Sequence, residues 1–215
     1  MNKTDFDWKS YINNMTLMII NMDLEELPSN LEKLVEKSYE FAANAKKDLK
    51  NEAEKAASDI AKMPEIVEYT DEGEPYCEKF DLESQAEDYF MEQGGIIEIY
   101  YKSINLMLIN FLVESFEGLK KKVGDKLKQS GLEINSLKSL VFEPCLEDMK
   151  KVRLINNCIK HNDSKVSKAL NEVYSKEFII DDELKIDQKL VYELLEITIK
   201  SIEKFTKLFN KYYRT

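Results

Sequence analysis

The chain has 215 residues, 43% hydrophobic and 33% charged, with six glycines, four prolines and a net charge of −10. A chain of this length buries roughly 70% of its unfolded surface, so it needs neither disulfide nor metal to stay folded. So few turn-formers argue against a sandwich or barrel, which turns every 8–12 residues or about that, and the acidic balance excludes a globally basic nucleic-acid clamp.

Residues 5–24 carry Trp8, Tyr11, Ile12, Met15, Met18, Ile19 and Met22, spaced by three and four, which predicts one apolar helical face. Pro28 is expected to break the chain, with Ser29 and Glu32 opening a second helix by a capping box that runs to Met63 before Pro64. Segment 64–81 holds two prolines, a glycine and many carboxylates, and reads as an exposed acidic loop. Helical pattern resumes from Leu82 to Lys128, with Gly94-Gly95 a point of bending. Within it Glu83, Glu87 and Asp88 read as a solvated face rather than a metal site. The apolar stretch Ile96–Val113 contains Glu98, Lys102, Asn105 and Asn110, so it reads as a bundle helix and not a membrane span. A linker follows at 129–143. Pro144 suits the first turn of a helix covering 144–161. Residues 178–186 suggest a short β-hairpin around Asp181-Asp182-Glu183, and Asp187 caps a last helix. The expected fold is an all-α, up-down helical bundle with long helices, a single domain over 1–215.

The cysteines, Cys77, Cys145 and Cys158, form neither a disulfide framework nor a zinc pattern, which predicts a reduced, cytoplasmic protein. The N-terminal residues lack a signal peptide's apolar core. There is no phosphate loop and no dinucleotide fingerprint. With a single histidine only carboxylates could ligate a metal, so neither a cofactor nor a metal is expected. Cys158 reads as a small buried residue packing the bundle.

The one histidine, His161, lies four residues beyond Asn157 and eight beyond Arg153, so the three share one helical stripe. The surrounding charge is unlike the rest. Over 150–168 six cations (Lys150, Lys151, Arg153, Lys160, Lys165, Lys168) face one carboxylate, Asp163, giving +5 against −15 for the remainder. A cationic island on an acidic protein is a candidate anion site, phosphate above all. Metal-free cleavage of a phosphodiester needs a base for the 2′-hydroxyl, an acid for the leaving oxygen and a fixed cation for the phosphorane. Histidine titrates in the right range for the first two, and arginine supplies bidentate donors for the third. One histidine per chain suggests a homodimer that brings two copies of His161 together. The plain alternative is that His161 caps its helix and the lysines complement the dipole.

The segment VRLINNCIKHNDSKVS resembles the HEPN superfamily through Arg153, Asn157, Lys160, His161, Asn162 and Asp163, late in a helical bundle and before a final helix. The resemblance implies a metal-independent endoribonuclease of a toxin–antitoxin or antiviral-defence system, acting on RNA. An antitoxin or other defence protein would be its partner. It implies His161, Arg153 and Asn157 as catalytic residues, with Lys160, Lys165, Lys150 and Asn156 holding the RNA backbone. In the commonest form of the motif the arginine directly precedes Asn-x3-His; here that position is Asn156. This departure keeps open a non-catalytic dimerisation or nucleotide-contact module, or a helical adaptor that regulates a partner protein.

Overall fold

The computed structural model describes residues 8–69, 71–73, 75–132, 141–174 and 177–213. They form α1 (Trp8–Ala61), β1 (Val67–Tyr69), β2 (Pro75–Cys77), α2 (Glu78–Gln129), α3 (Glu143–Asp148), α4 (Lys150–His161), α5 (Lys168–Tyr174) and α6 (Gln188–Tyr213). The protein is all-α with one small antiparallel sheet. The chain divides into two compact units, one of Met1–Val35 with Asn105–Thr215 and one of Glu36–Ile104.

In the first unit, α1 runs straight through Pro28, where the sequence predicted two helices. A proline inside a helix removes one backbone bond and costs about 3 kcal/mol. Ile20 and Leu24 before it, and Leu31 and Val35 after it, are all buried. Each such side chain contributes about 1.5–3 kcal/mol, so the continuous stripe outweighs the break. Ser29 and Glu32 are therefore mid-helix and cap nothing. The apolar face expected over 5–24 is also reassigned. Tyr11, Ile12, Met15, Met18, Ile19 and Met22 are exposed, and α1 packs instead through Ile20, Leu24 and Leu31.

α2 opposes α1 in this unit. Leu108, Ile109, Leu112, Phe116 and Leu127 are buried. Asp23 of α1 accepts hydrogen bonds from Lys122 and Lys126 of α2, both at 2.7 Å. Burial works against the Asp23 carboxylate, but the two lysines outweigh it and hold its pKa below the ordinary 3.8. α2 stops where Gly131 takes φ +69 and Leu132 N–H donates to Leu127 O at 3.0 Å, closing the last turn from beyond the glycine. The expected linker at 129–143 lies partly outside the described residues, which omit 133–140. α6 is amphipathic and buries Leu194, Ile202, Phe205 and Phe209. Phe205 stacks between Phe142 at 5.3 Å and Phe209 at 6.3 Å. Asp187 caps this helix as expected, its Oδ1 accepting from Leu190 N–H at 2.9 Å.

The two-stranded hairpin falls in the acidic segment 64–81 rather than near 178–186, with Val67 opposite Cys77 and Glu68 opposite Tyr76. Gly73 at φ +86 provides a left-handed turn residue between the two strands. Around 178–186 the chain folds back on 164–166 instead of on itself. Leu184 N–H donates to Ser164 O at 2.8 Å and Val166 N–H to Asp182 O at 2.9 Å, leaving an isolated bridge between Lys165 and Glu183.

Because Pro28 costs a hydrogen bond that alanine would make, Pro28→Ala should stabilise the first unit by about 1–3 kcal/mol. Urea unfolding followed by circular dichroism checks this; an unchanged or lower midpoint would show that the proline is accommodated without cost.

Candidate functional site

The expected helix 144–161 is two helices. α3 ends and α4 begins at Met149, whose backbone at φ −77, ψ −2 makes a shallow joint, while Met149 N–H still donates to Cys145 O at 3.1 Å and Arg153 N–H to Met149 O at 3.0 Å. Pro144 sits in the first turn of α3, as the sequence predicted. α4 is strongly amphipathic. Lys151, Val152, Ile155, Asn156 and Cys158 form its buried edge. Arg153, Asn157, Lys160 and His161 are exposed. The stripe Arg153–Asn157–His161 is therefore presented to solvent as one row.

His161 does not cap its helix. The last turn is closed by backbone alone: Cys158 O accepts from Asn162 N–H at 3.0 Å and from Ser164 N–H at 3.1 Å. Asp163 (φ 48) and Ser164 (φ 63) take left-handed conformations, and Asn162 Nδ2 donates to Lys165 O at 2.8 Å. This turn ends α4 and leaves the imidazole unengaged by any other described side chain. The Cys158 thiol is buried, donates to Ser167 Oγ at 3.3 Å and accepts from Ser167 N–H at 3.4 Å. It is a packing residue, tied to the start of α5 and turned away from the stripe's exposed edge.

The cationic island is largely matched by carboxylates. Arg153 Nε lies 3.7 Å from Glu117 Oε1, whose other oxygen accepts from Lys120 at 2.6 Å. Lys160 Nζ lies 3.7 Å from Glu114 Oε1. Glu114 also accepts from Asn110 Nδ2 at 2.8 Å, and Asn156 Nδ2 donates to Asn110 Oδ1 at 3.5 Å. Asn156 is almost fully buried, with an Oδ1 that has no partner, so it joins α4 to α2 from inside. Lys150 pairs with Glu147 at 3.2 Å and Lys168 with Glu172 at 3.8 Å. Lys165, exposed beyond the turn, has no carboxylate partner among the described residues.

Lys151 is the deepest cation. It donates to Glu177 and, at 2.7 Å, to Glu193 of α6. Its ammonium lies over the rings of Tyr174 at 5.4 Å and Phe178 at 5.8 Å. Burial works against its charge, and the two carboxylates outweigh that, so its pKa is raised above the ordinary 10.5. Lys151 thus builds the site's foundation and is not available to a ligand. Sequence reasoning missed Asn110, Glu114 and Glu117. They sit on α2 more than thirty residues away, and nothing in their spacing separates them from any solvated face. Among the described residues no three His, Cys, Asp or Glu side chains gather as a metal site.

No family model, curated protein or solved structure matches the chain.

Lys151→Met should cost about 1–3 kcal/mol at neutral pH, because two carboxylates lose their charged donor. A raised folded pKa means that this contribution is fully present below pH 10.5 and is lost as pH rises through the folded value. Urea midpoints of wild type and variant should therefore converge above that pH. A constant gap would show that the lysine acts by packing alone.

Proposed function

We propose that the chain is a HEPN-like, metal-independent endoribonuclease that acts as a homodimer. The observation that carries this reading is the exposed row of Arg153, Asn157 and His161 on α4, with His161 unengaged by its own helix end. In the reaction a neutral His161 takes the proton of a ribose 2′-hydroxyl. The 2′-oxygen attacks the adjacent phosphorus, and the P–O5′ bond breaks. A protonated His161 of the second copy gives its proton to the leaving 5′-oxygen, yielding a 2′,3′-cyclic phosphate and a 5′-hydroxyl. Arg153 holds the phosphorane oxygens and Asn157 orients the phosphate or the imidazole. Lys160, Lys165 and Lys150 attract the RNA backbone, so binding weakens steeply with salt. The Lys160–Glu114 pair is long and solvent-exposed, worth about 0–1 kcal/mol, so a phosphate displaces Glu114 at small cost; at Arg153 the guanidinium is half exposed but the Glu117 oxygen facing it is buried. A toxin or phage-defence role in the cytoplasm, with an antitoxin or defence-system partner, completes the proposal.

One observation favours a second reading. Glu117 and Glu114 occupy the two cations nearest the row, and Asn156 is buried where the commonest motif has its arginine. On that reading the same helix is a non-catalytic dimerisation or nucleotide-contact surface that regulates a partner protein.

Labelled mixed RNA incubated in EDTA separates the two. Wild type should cut it, and His161→Ala should lose about 10²–10⁴-fold in rate, the usual share of acid–base catalysis. Glu117→Gln should cut at least as fast as wild type, because Arg153 is released. A well-folded wild type that leaves every RNA intact overturns the ribonuclease reading in favour of the second.

A further inference from the structure

The second unit pairs residues 36–61 of α1 with 78–104 of α2 beyond the β1–β2 turn. From 43 to 103 none of its described side chains is buried. Phe80, Met91 and Ile99 are each about 70% exposed (72%, 69% and 68%). Helices owe most of their stability to packing of an apolar face, and a helix pair without a core lacks that support.

One face of this pair is an open groove in two connected halves, of about 610 and 600 Å³, sharing Ala53 and Phe90. Small residues, Ala57 and Ala86 in one half and Ala43 and Gly94 in the other, leave room for a neighbouring helix to approach. The two halves differ in charge. The first is flanked by Glu83 and Glu87, the second by Lys46, Lys47 and Lys50 beside a single carboxylate, Glu98. Lys50 also pairs with Glu54 at 3.6 Å, both largely exposed, which holds it weakly.

We infer that this groove seats the same groove of a second copy, antiparallel, about a two-fold axis passing at Ala53 and Phe90. That arrangement lays the Glu83–Glu87 end of each copy over the Lys46–Lys50 end of the other. A parallel seating would set like charge against like. Self-complementarity of this kind is what an isologous interface requires. A face spanning Ala43 to Ile60 is about 25 Å long at 1.5 Å per residue and two helices wide, so two copies bury on the order of 1,000 Å² or more, enough for a specific interface. The inference is independent of any activity at His161.

Light scattering on the full chain tests it with two charge-reversed variants. One carries Lys46→Glu, Lys47→Glu and Lys50→Glu; the other carries Glu83→Lys and Glu87→Lys. Wild type should be a dimer, or a larger assembly where copies also meet through α4. Each variant alone should dissociate at least tenfold more readily, with helicity retained by circular dichroism. The second variant lowers the net negative charge, so its weakening cannot arise from general repulsion. An equal mixture of the two should restore a dimer containing one of each. In a Cys77→Ser background, Ala53→Cys should cross-link to its own copy on mild oxidation. A monomeric wild type overturns the inference, whether free or adsorbed on lipid vesicles. So does an assembly whose size neither variant reduces, since another surface would then hold the copies.

Discussion

Burial of the Val152–Ile155–Cys158 edge of α4 fixes what the opposite edge can do. The helix is twelve residues long, about 18 Å, and packs on α5 and α6. With that edge sealed, the 3.6-residue period leaves Arg153, Asn157 and His161 no direction but outward. The left-handed pair Asp163 and Ser164 then ends the helix immediately after the imidazole. Had the last turn needed a side-chain cap, His161 was the nearest candidate. Backbone donors to Cys158 O do that work and leave the ring unengaged. Apolar burial contributes about 1.5–3 kcal/mol per large side chain, against about 0–1 for each exposed ion pair. Packing therefore orients the row, and the charges around it only adjust how readily an anion is received.

Those charges show why a linear count misleads. Between 150 and 168 the chain reads as strongly cationic. In the fold, Glu114, Glu117, Glu147, Glu172, Glu177 and Glu193 each stand beside one of its cations. The island differs in kind from one cation to the next. Lys151 is committed to two carboxylates and two aromatic rings. Arg153 and Lys160 are both held at 3.7 Å, Lys160 by an exposed carboxylate and Arg153 by a Glu117 oxygen that is buried. Lys165 is unmatched among the described residues. The order of depth along α4, and not the sum of charges, ranks them for a ligand.

Periodicity made the helical class legible, along with the cap at Asp187, the small buried Cys158 and the exposed row on α4. Three features were not legible, each for a physical reason. Pro28 signals a break locally, and only the buried stripe on both sides of it, made by tertiary contacts, shows that the helix continues. The shallow backbone at Met149, with i→i−4 bonds on either side of it, has no residue-type signature. The acidic segment read as loop because carboxylates and prolines are turn-like, whereas Gly73 at a left-handed φ lets its arms pair. Asn110, Glu114 and Glu117 were invisible for a fourth reason: their meaning comes wholly from which helix they oppose.

The second unit poses the sharper physical question, because from 43 to 103 none of its described side chains is buried. Part of the answer is local. Ala42, Ala43, Ala45, Ala53, Ala56, Ala57 and Ala61 give α1 high intrinsic helicity, and pairs such as Lys37–Glu40 and Lys50–Glu54 add a few tenths of a kcal/mol each. The same alanines that favour the helix also deprive it of side chains large enough to bury against α2. Helicity and packing are thus bought from different sources. In the groove pairing inferred above, association of two copies would supply the missing apolar cover, making folding of the hairpin and its self-association two readings of one free energy. A unit so built gains stability with its own concentration through mass action. The first unit, by contrast, buries Phe116, Phe205 and Phe209 in its own chain. On that inference, a bundle with its own core carries the row on α4, and the hairpin's stability depends on how many copies meet.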